Sequence, residues 1–109
     1  MSQTILLATF DFDFGKNEAF EATLERARAL AERDGLVWKV WLRDRTTSRG
    51  GGIYLFEDRG SAQAWVDEAF KDSQPWTENM HWEILEIDEE LSRVTHAKLA
   101  NAEGLEGVR

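Results

Sequence analysis

Apolar and polar residues alternate with a period of two along residues 5–12, "ILLATFDF", as in a strand. The even positions Leu6, Ala8, Phe10 and Phe12 stay apolar, while the odd ones, Ile5, Leu7, Thr9 and Asp11, turn polar toward the C-terminal end. The period then lengthens. In "FGKNEAFEATLERARALAERDG", Phe20, Leu24, Ala27 and Ala31 fall on one helical stripe, with Leu30 beside it. Asn17 suits the N-cap, Glu18 and Glu21 suit the positive end of the dipole, Arg33 the negative end, and Gly35 the stop. Alternation returns over residues 36–43. One face carries Leu36, Trp38, Val40 and Leu42, and the other Val37, Lys39, Trp41 and Arg43. A polar loop over 44–49 and the glycines 50–52 lead into "IYLF", with Ile53 and Leu55 on one side and Tyr54 and Phe56 on the other. Two strands this close predict an antiparallel hairpin. Asp58 then caps a second helix whose apolar side is Ala62, Trp65, Val66, Ala69 and Phe70. Beyond a linker containing the lone Pro75, residues 80–87 form a fourth strand. A last amphipathic stretch over 89–101 offers Leu91, Val94 and Leu99 for contacts, and the tail after it is expected to fray.

The order β-α-β-β-α-β predicts an α+β, ferredoxin-like domain: one four-stranded antiparallel sheet with both helices on one face, followed by a C-terminal helical arm. Two helices cover only one face, yet strands one to three are apolar on both. Leaving the second face wet forfeits roughly 1.5–3 kcal/mol per large side chain. The expected remedy is a homodimer packed sheet against sheet, a dimeric α+β barrel, with the arm reaching to the partner.

At 109 residues the chain makes a single domain, 1–109, and its balance of 42% hydrophobic and 31% charged residues is that of a folded globule. With a net charge of −8, it lacks the basic surface that binding to nucleic acid requires. No apolar run is long enough to span a membrane, and "MSQTILLATFDFDFG" lacks the basic start of a signal peptide. The absence of cysteine removes disulfides, thiolate metal sites and cysteine nucleophiles, and makes a cytoplasmic location the default.

Lys39 is the unusual residue, because it alternates with Val37 and Trp41 on one strand face, so that its ammonium either lies under the helices or points into the space between the two sheets. Its stem can pack while its charge reaches water or a carboxylate. Alternatively it holds an anionic or phenolic substrate, or moves protons with a pKa lowered by burial. Trp38 and Trp41 lie on opposite faces, and either packs or lines a pocket for a flat ligand. Trp65 faces the sheet from the second helix, and the Tyr54 hydroxyl can bond within the fold or to a substrate oxygen. His81 and His96, the only histidines, lie at the start of the last strand and in the arm. Asp11 and Asp13 share a strand face, but no histidine pairs with them in sequence, so no metal site is expected. The three glycines open a strand and lack the lysine that follows in a phosphate loop, which suits a hairpin end or a close backbone approach at a sheet edge.

Three segments together resemble the YdhR family of assigned monooxygenases: "GLVWKVWLRD", "GGIYLFEDRGSAQAW" and "LSRVTHAKLA". The shared pattern is Trp38, Lys39, Val40 and Trp41; the run 51–56; Asp58, Ser61 and Ala62; and Leu91, Ser92 and the run 97–100. The resemblance implies a dimeric α+β barrel and oxidation of aromatic compounds without a cofactor, through kinship of fold with oxygenases of phenolic polycycles. Haem-degrading monooxygenases of the same superfamily pair a strand-one Asn with a helix-two Trp and a His some ten residues later. Trp65 fits the Trp, but Thr9 and Asp11 stand where Asn would, and Pro75 stands where His would. Haem degradation is therefore disfavoured.

Two functions follow as expectations. As an enzyme, the protein holds a small phenolic substrate between sheet and helices, walled by Trp38, Trp65 and Phe10 or Phe12, with Lys39 or Tyr54 stabilising the oxyanion. As a binding module, the same dimer holds an apolar small molecule, such as a small aromatic one, or a protein partner, without turnover.

Overall fold

A computed structural model describes residues 3–12, 20–69 and 77–100. The elements are β1 (Thr4–Phe12), α1 (Phe20–Ala31), β2 (Leu36–Asp44), β3 (Arg49–Phe56), α2 (Arg59–Ala69), β4 (Thr77–Glu86) and α3 (Glu89–Val94). The strands form one antiparallel sheet in the order β2-β3-β1-β4. This is the ferredoxin-like α+β arrangement that the element order predicts. Asn17, Glu18, Phe70, Pro75 and the tail after Asn101 lie outside the described residues, as do the side chains of Phe20 and Glu21.

One face of the sheet, the helix face, makes the core. Leu6 and Ala8 from β1 and Tyr54 and Phe56 from β3 pack against Leu30 of α1 and Ala62 and Val66 of α2. The stripe expected for α2 supplies its contacts, whereas α1 contributes Leu30, which lies beside its expected stripe, and Ala31 of that stripe is exposed. Burying such side chains is the main favourable term of the fold. Asp58 caps α2 as expected, its Oδ1 accepting the Ser61 N–H at 2.8 Å. Gly35 ends the α1 segment at φ 88°, pressed against α2, where a Cβ would lie 2.5 Å from Ser61 Oγ. Arg33 has a larger role than that of a helix-end charge. It grips Glu68 of α2 with two hydrogen bonds, 2.8 and 2.7 Å, tying the two helices together.

Two bulges change which way residues point. In β2 the register passes from Leu36↔Phe56 to Trp38↔Leu55, which leaves Val37 as the extra residue. Leu36 therefore does not share a face with Trp38, contrary to simple alternation. It packs on the core, whereas Trp38, Val40 and Leu42 lie on the opposite, outer face with Leu55 and Ile53. In β4, Asn79 and Met80 together span the place opposite Phe10, and Asn79 adopts φ 55°. The strand begins at Thr77, three residues before the expected start.

The glycines do not mark a sheet edge, since β3 lies between β2 and β1. Gly51, at φ 150°, is a close backbone approach within the sheet, where any Cβ would run into the Ala8 carbonyl. The C-terminal helix is also shorter than expected. It is capped by Asp88 and stops at Val94, and the chain reverses at His96, φ 74°. Residues 97–100 then run extended across one end of the outer face. Gln3 fastens them through Nε2–H to the Ala100 carbonyl, 2.7 Å, and through Oε1 from the Ala100 N–H, 2.9 Å. Trp38 Nε1–H donates to the Lys98 carbonyl at 2.6 Å. Among the described residues, no helix is long and apolar enough to cross a membrane.

Candidate functional site

The register lays out the helix face row by row. Lys39, Tyr54, Leu6 and Ile84 form one row from β2 to β4, Trp41, Gly52, Ala8 and Trp82 the next, and Arg43, Gly50 and Phe10 the third. Small residues thus occupy the middle of the sheet while Trp41 and Trp82 stand at its two sides, 40% and 39% exposed. The result is a trough in the relief of the sheet, a line of small, buried residues between aromatic flanks. α2 closes its inner end with Trp65, and Phe10 and Phe12 form a tilted pair at the other, their centroids 6.0 Å apart.

Gly52 fixes the key side chain. The Lys39 stem lies directly over it, where any Cβ would collide with Lys39 Cε. From there Nζ sits 3.3 Å from the Trp41 ring centroid and 4.4 Å from that of Tyr54. Burial pulls the Lys39 pKa down from 10.5 to about 7, and the like charge of Arg26 on α1 adds to this. The ring faces favour the cation and oppose the shift. Among the described residues no carboxylate reaches the amine.

Tyr54 connects this amine to α2. Its ring stacks on Phe56 at 5.9 Å and meets Trp65 at 6.0 Å. Burial raises its phenol pKa, partly offset by the Trp65 indole N–H lying toward its oxygen. That N–H does not reach hydrogen-bond geometry, and it is a buried donor with no acceptor among the described residues. Arg33 holds the other side of the Trp65 ring, its Cζ 5.0 Å from the centroid. Arg43 covers Phe12 in the same manner at 5.2 Å.

Of the six residues expected from the sequence, Lys39, Tyr54, Trp65, Phe10 and Phe12 lie on this one face. Trp38 does not join them, because the β2 bulge commits it to the outer face, where its indole holds the arm. Trp41 takes the place beside Lys39, two residues along the same strand face. Gly52 and Arg26 were not legible as partners of Lys39, because only strand register and helix placement bring them together. The histidines stand elsewhere. His81 is on the outer face near Glu83, at 4.0 Å, and His96 lies in the turn after α3. Asp11 shares that outer face. Its pKa is lowered by the hydrogen bond from Asn79 and then by that from Arg49, at 2.5 and 2.6 Å. Among the described residues no three His, Cys, Asp or Glu converge as a metal site.

A four-stranded antiparallel sheet with its helices packed on one face defines the ferredoxin-like α+β class of domains. Within it, residues 5–98 match the family described as "Putative mono-oxygenase ydhR", and the chain belongs to that family. Solved structures share the fold. A protein from Shewanella oneidensis aligns with TM-score 0.60 and 21% identity, over 79% of this chain and 91% of that one. The haem degrader MhuD from Mycobacterium tuberculosis, solved with two haems in its active site, aligns with TM-score 0.57 and 17% identity, over 77% and 94%. A variant of MhuD with two manganese protoporphyrin IX per active site gives TM-score 0.57 and 15% identity, over 77% and 93%. No curated protein sequence matches.

Proposed function

We infer that this protein is a cofactor-independent monooxygenase that oxidises a small aromatic or phenolic compound in the trough, working as a cytoplasmic homodimer. The single observation that carries this is the Lys39 amine held over Trp41 and Tyr54 at one end of an aromatic-walled recess. A phenol bound beside the Lys39 amine would have Trp65, Phe10 and Phe12 as walls. With its pKa near 7, Lys39 can accept the phenol proton, and the resulting ammonium then stabilises the phenolate together with the Tyr54 hydroxyl. The electron-rich anion itself reduces O2, so the protein needs only to desolvate, orient and hold it. Family membership supports the oxygenase class. Haem is a poor fit for this chain, because neither of its two histidines faces the trough.

The test is O2 consumption with a panel of reduced phenols. On an accepted substrate, Lys39→Met is expected to slow turnover by about 10²–10⁴-fold, the usual worth of a positioned acid–base group. Tyr54→Phe is expected to slow it by about tenfold, the loss of one modest hydrogen bond. Wild-type rates in both variants would overturn these roles.

A second function, a non-catalytic small-molecule-binding dimer, is favoured by one observation. No hydrogen-bonded acid–base pair lines the trough among the described residues. A binder would return its ligand unchanged and consume no O2.

A further inference from the structure

We propose that the Lys39 side chain is a carbonyl-capturing amine, which forms a reversible imine with aromatic aldehydes that enter the trough between Trp41, Tyr54 and Trp65. This does not require turnover with O2, and it holds equally for a catalyst or a binding module.

A lysine becomes a nucleophile when it is desolvated in an apolar pocket or placed beside another cation, because either one disfavours the ammonium. Lys39 has both. Its stem is laid on Gly52 and its amine is buried, and the one charge that shifts its titration is Arg26 rather than a carboxylate. These outweigh the attraction of the Trp41 and Tyr54 ring faces for the cation. Near neutral pH a large fraction of the amine then carries its lone pair. An ordinary lysine at the same pH is almost wholly ammonium. The surroundings select the electrophile. Trp41 and Tyr54 offer flat apolar faces beside the amine, and the unpartnered Trp65 N–H offers a buried donor next to Tyr54. An arene bearing a carbonyl suits both.

The chemistry balances without any other reagent. The Nζ lone pair attacks the carbonyl carbon, and the carbonyl π pair moves to oxygen, which takes up a proton to give the carbinolamine. Expulsion of that hydroxyl as water, with loss of the remaining amine proton, leaves the C=N bond. One amine and one aldehyde give one imine and one water, with no change of oxidation state.

The experiment treats the full chain at pH 7 with 2-naphthaldehyde and sodium cyanoborohydride, which fixes any imine as a secondary amine. Peptide mass mapping then compares Lys39 with Lys16, Lys71 and Lys98, the other lysines of the sequence. Lys39 is expected to label at least tenfold faster than each of them. Gly52→Ala, which displaces the stem, is expected to remove most of that advantage while the circular dichroism spectrum stays unchanged. Labelling spread evenly over the four lysines of the folded wild type would overturn the proposal, and equal labelling of Lys39 by propanal would overturn its aromatic selectivity. Because O2 consumption is scored separately, capture without oxygenation would sustain this proposal and sink the oxygenase function. Oxygenation without capture would do the reverse.

Discussion

Lys39 bears a cost that the rest of the protein must offset. Its folded-state pKa is near 7 against an ordinary value of 10.5, so between those limits the unfolded chain binds more protons than the folded one. Stability therefore rises with pH across that window. The penalty is fully present below pH 7 and disappears as the pH passes the unfolded value. Lys39→Met keeps a stem of similar length and removes the titration. It is expected to be more stable than the wild type at pH 6, by on the order of 2–4 kcal/mol, and to lose that advantage by pH 10. Urea unfolding of both proteins at the two pH values measures this directly. A constant difference between them would mean that the amine finds a counter-ion in the folded state. A residue retained at such a cost is one whose uncharged form or whose position is put to use, as perturbed groups in clefts commonly are.

At the scale of elements, the sheet is positioned by small features that alternation alone does not show. Trp38 is the clearest case. Reading "LVWKVW" with a strict period of two puts Leu36 and Trp38 together, but the Val37 bulge separates them and sends Trp38 to the outer face. There its indole N–H anchors the arm at Lys98, and Gln3 holds Ala100. Trp38→Phe keeps a ring but removes the donor. Its expected effect is about fivefold faster hydrogen exchange at the Ala100 amide, the equivalent of about 1 kcal/mol. No change in that exchange would show that Gln3, with the Arg93 guanidinium donating to the Ala100 carbonyl at 3.1 Å, secures the arm without Trp38. The same contrast explains what the sequence revealed and what it did not. Strand and helix periods were strong in residues such as Leu6, Tyr54, Ala62 and Val66, so the element order and the fold were legible, while Lys39 stood out by its residue type and the face it takes did not follow from the pattern. The bulges at Val37 and Asn79, the early stop of α3 and the seat of Lys39 on Gly52 depend on cross-strand register, which no local pattern encodes.

For the whole molecule, the outer face of the sheet sets the remaining question. Leu55 is fully buried there, but Val40 is 47% and Leu85 52% exposed, and Ile5, Leu7, Leu42 and Ile53 are only half-buried. α3 adds Leu91 and Val94, 65% and 70% exposed. Toward the other end the same face becomes polar, with Thr9 and Asp11 hydrogen-bonded to Arg49. An apolar field bounded by a polar end has the form of a buried interface with a rim. A second copy suits it, because a two-fold axis matches each apolar patch with its own equivalent. With such a copy in place, the arm that lies across this face is expected to bring α3 against the partner. Sedimentation velocity is expected to give a species of twice the 12.5 kDa chain mass at micromolar concentration. Val40→Glu and Leu85→Glu each bring a carboxylate into the joint, and a buried unpaired charge costs several kcal/mol. Either variant is expected to sediment as a folded monomer with Lys39 still at its seat on the opposite face. If the wild type itself runs as a monomer, the apolar field must be covered by something other than this chain. If the variants remain dimeric, the two-fold contact must lie on the helices instead.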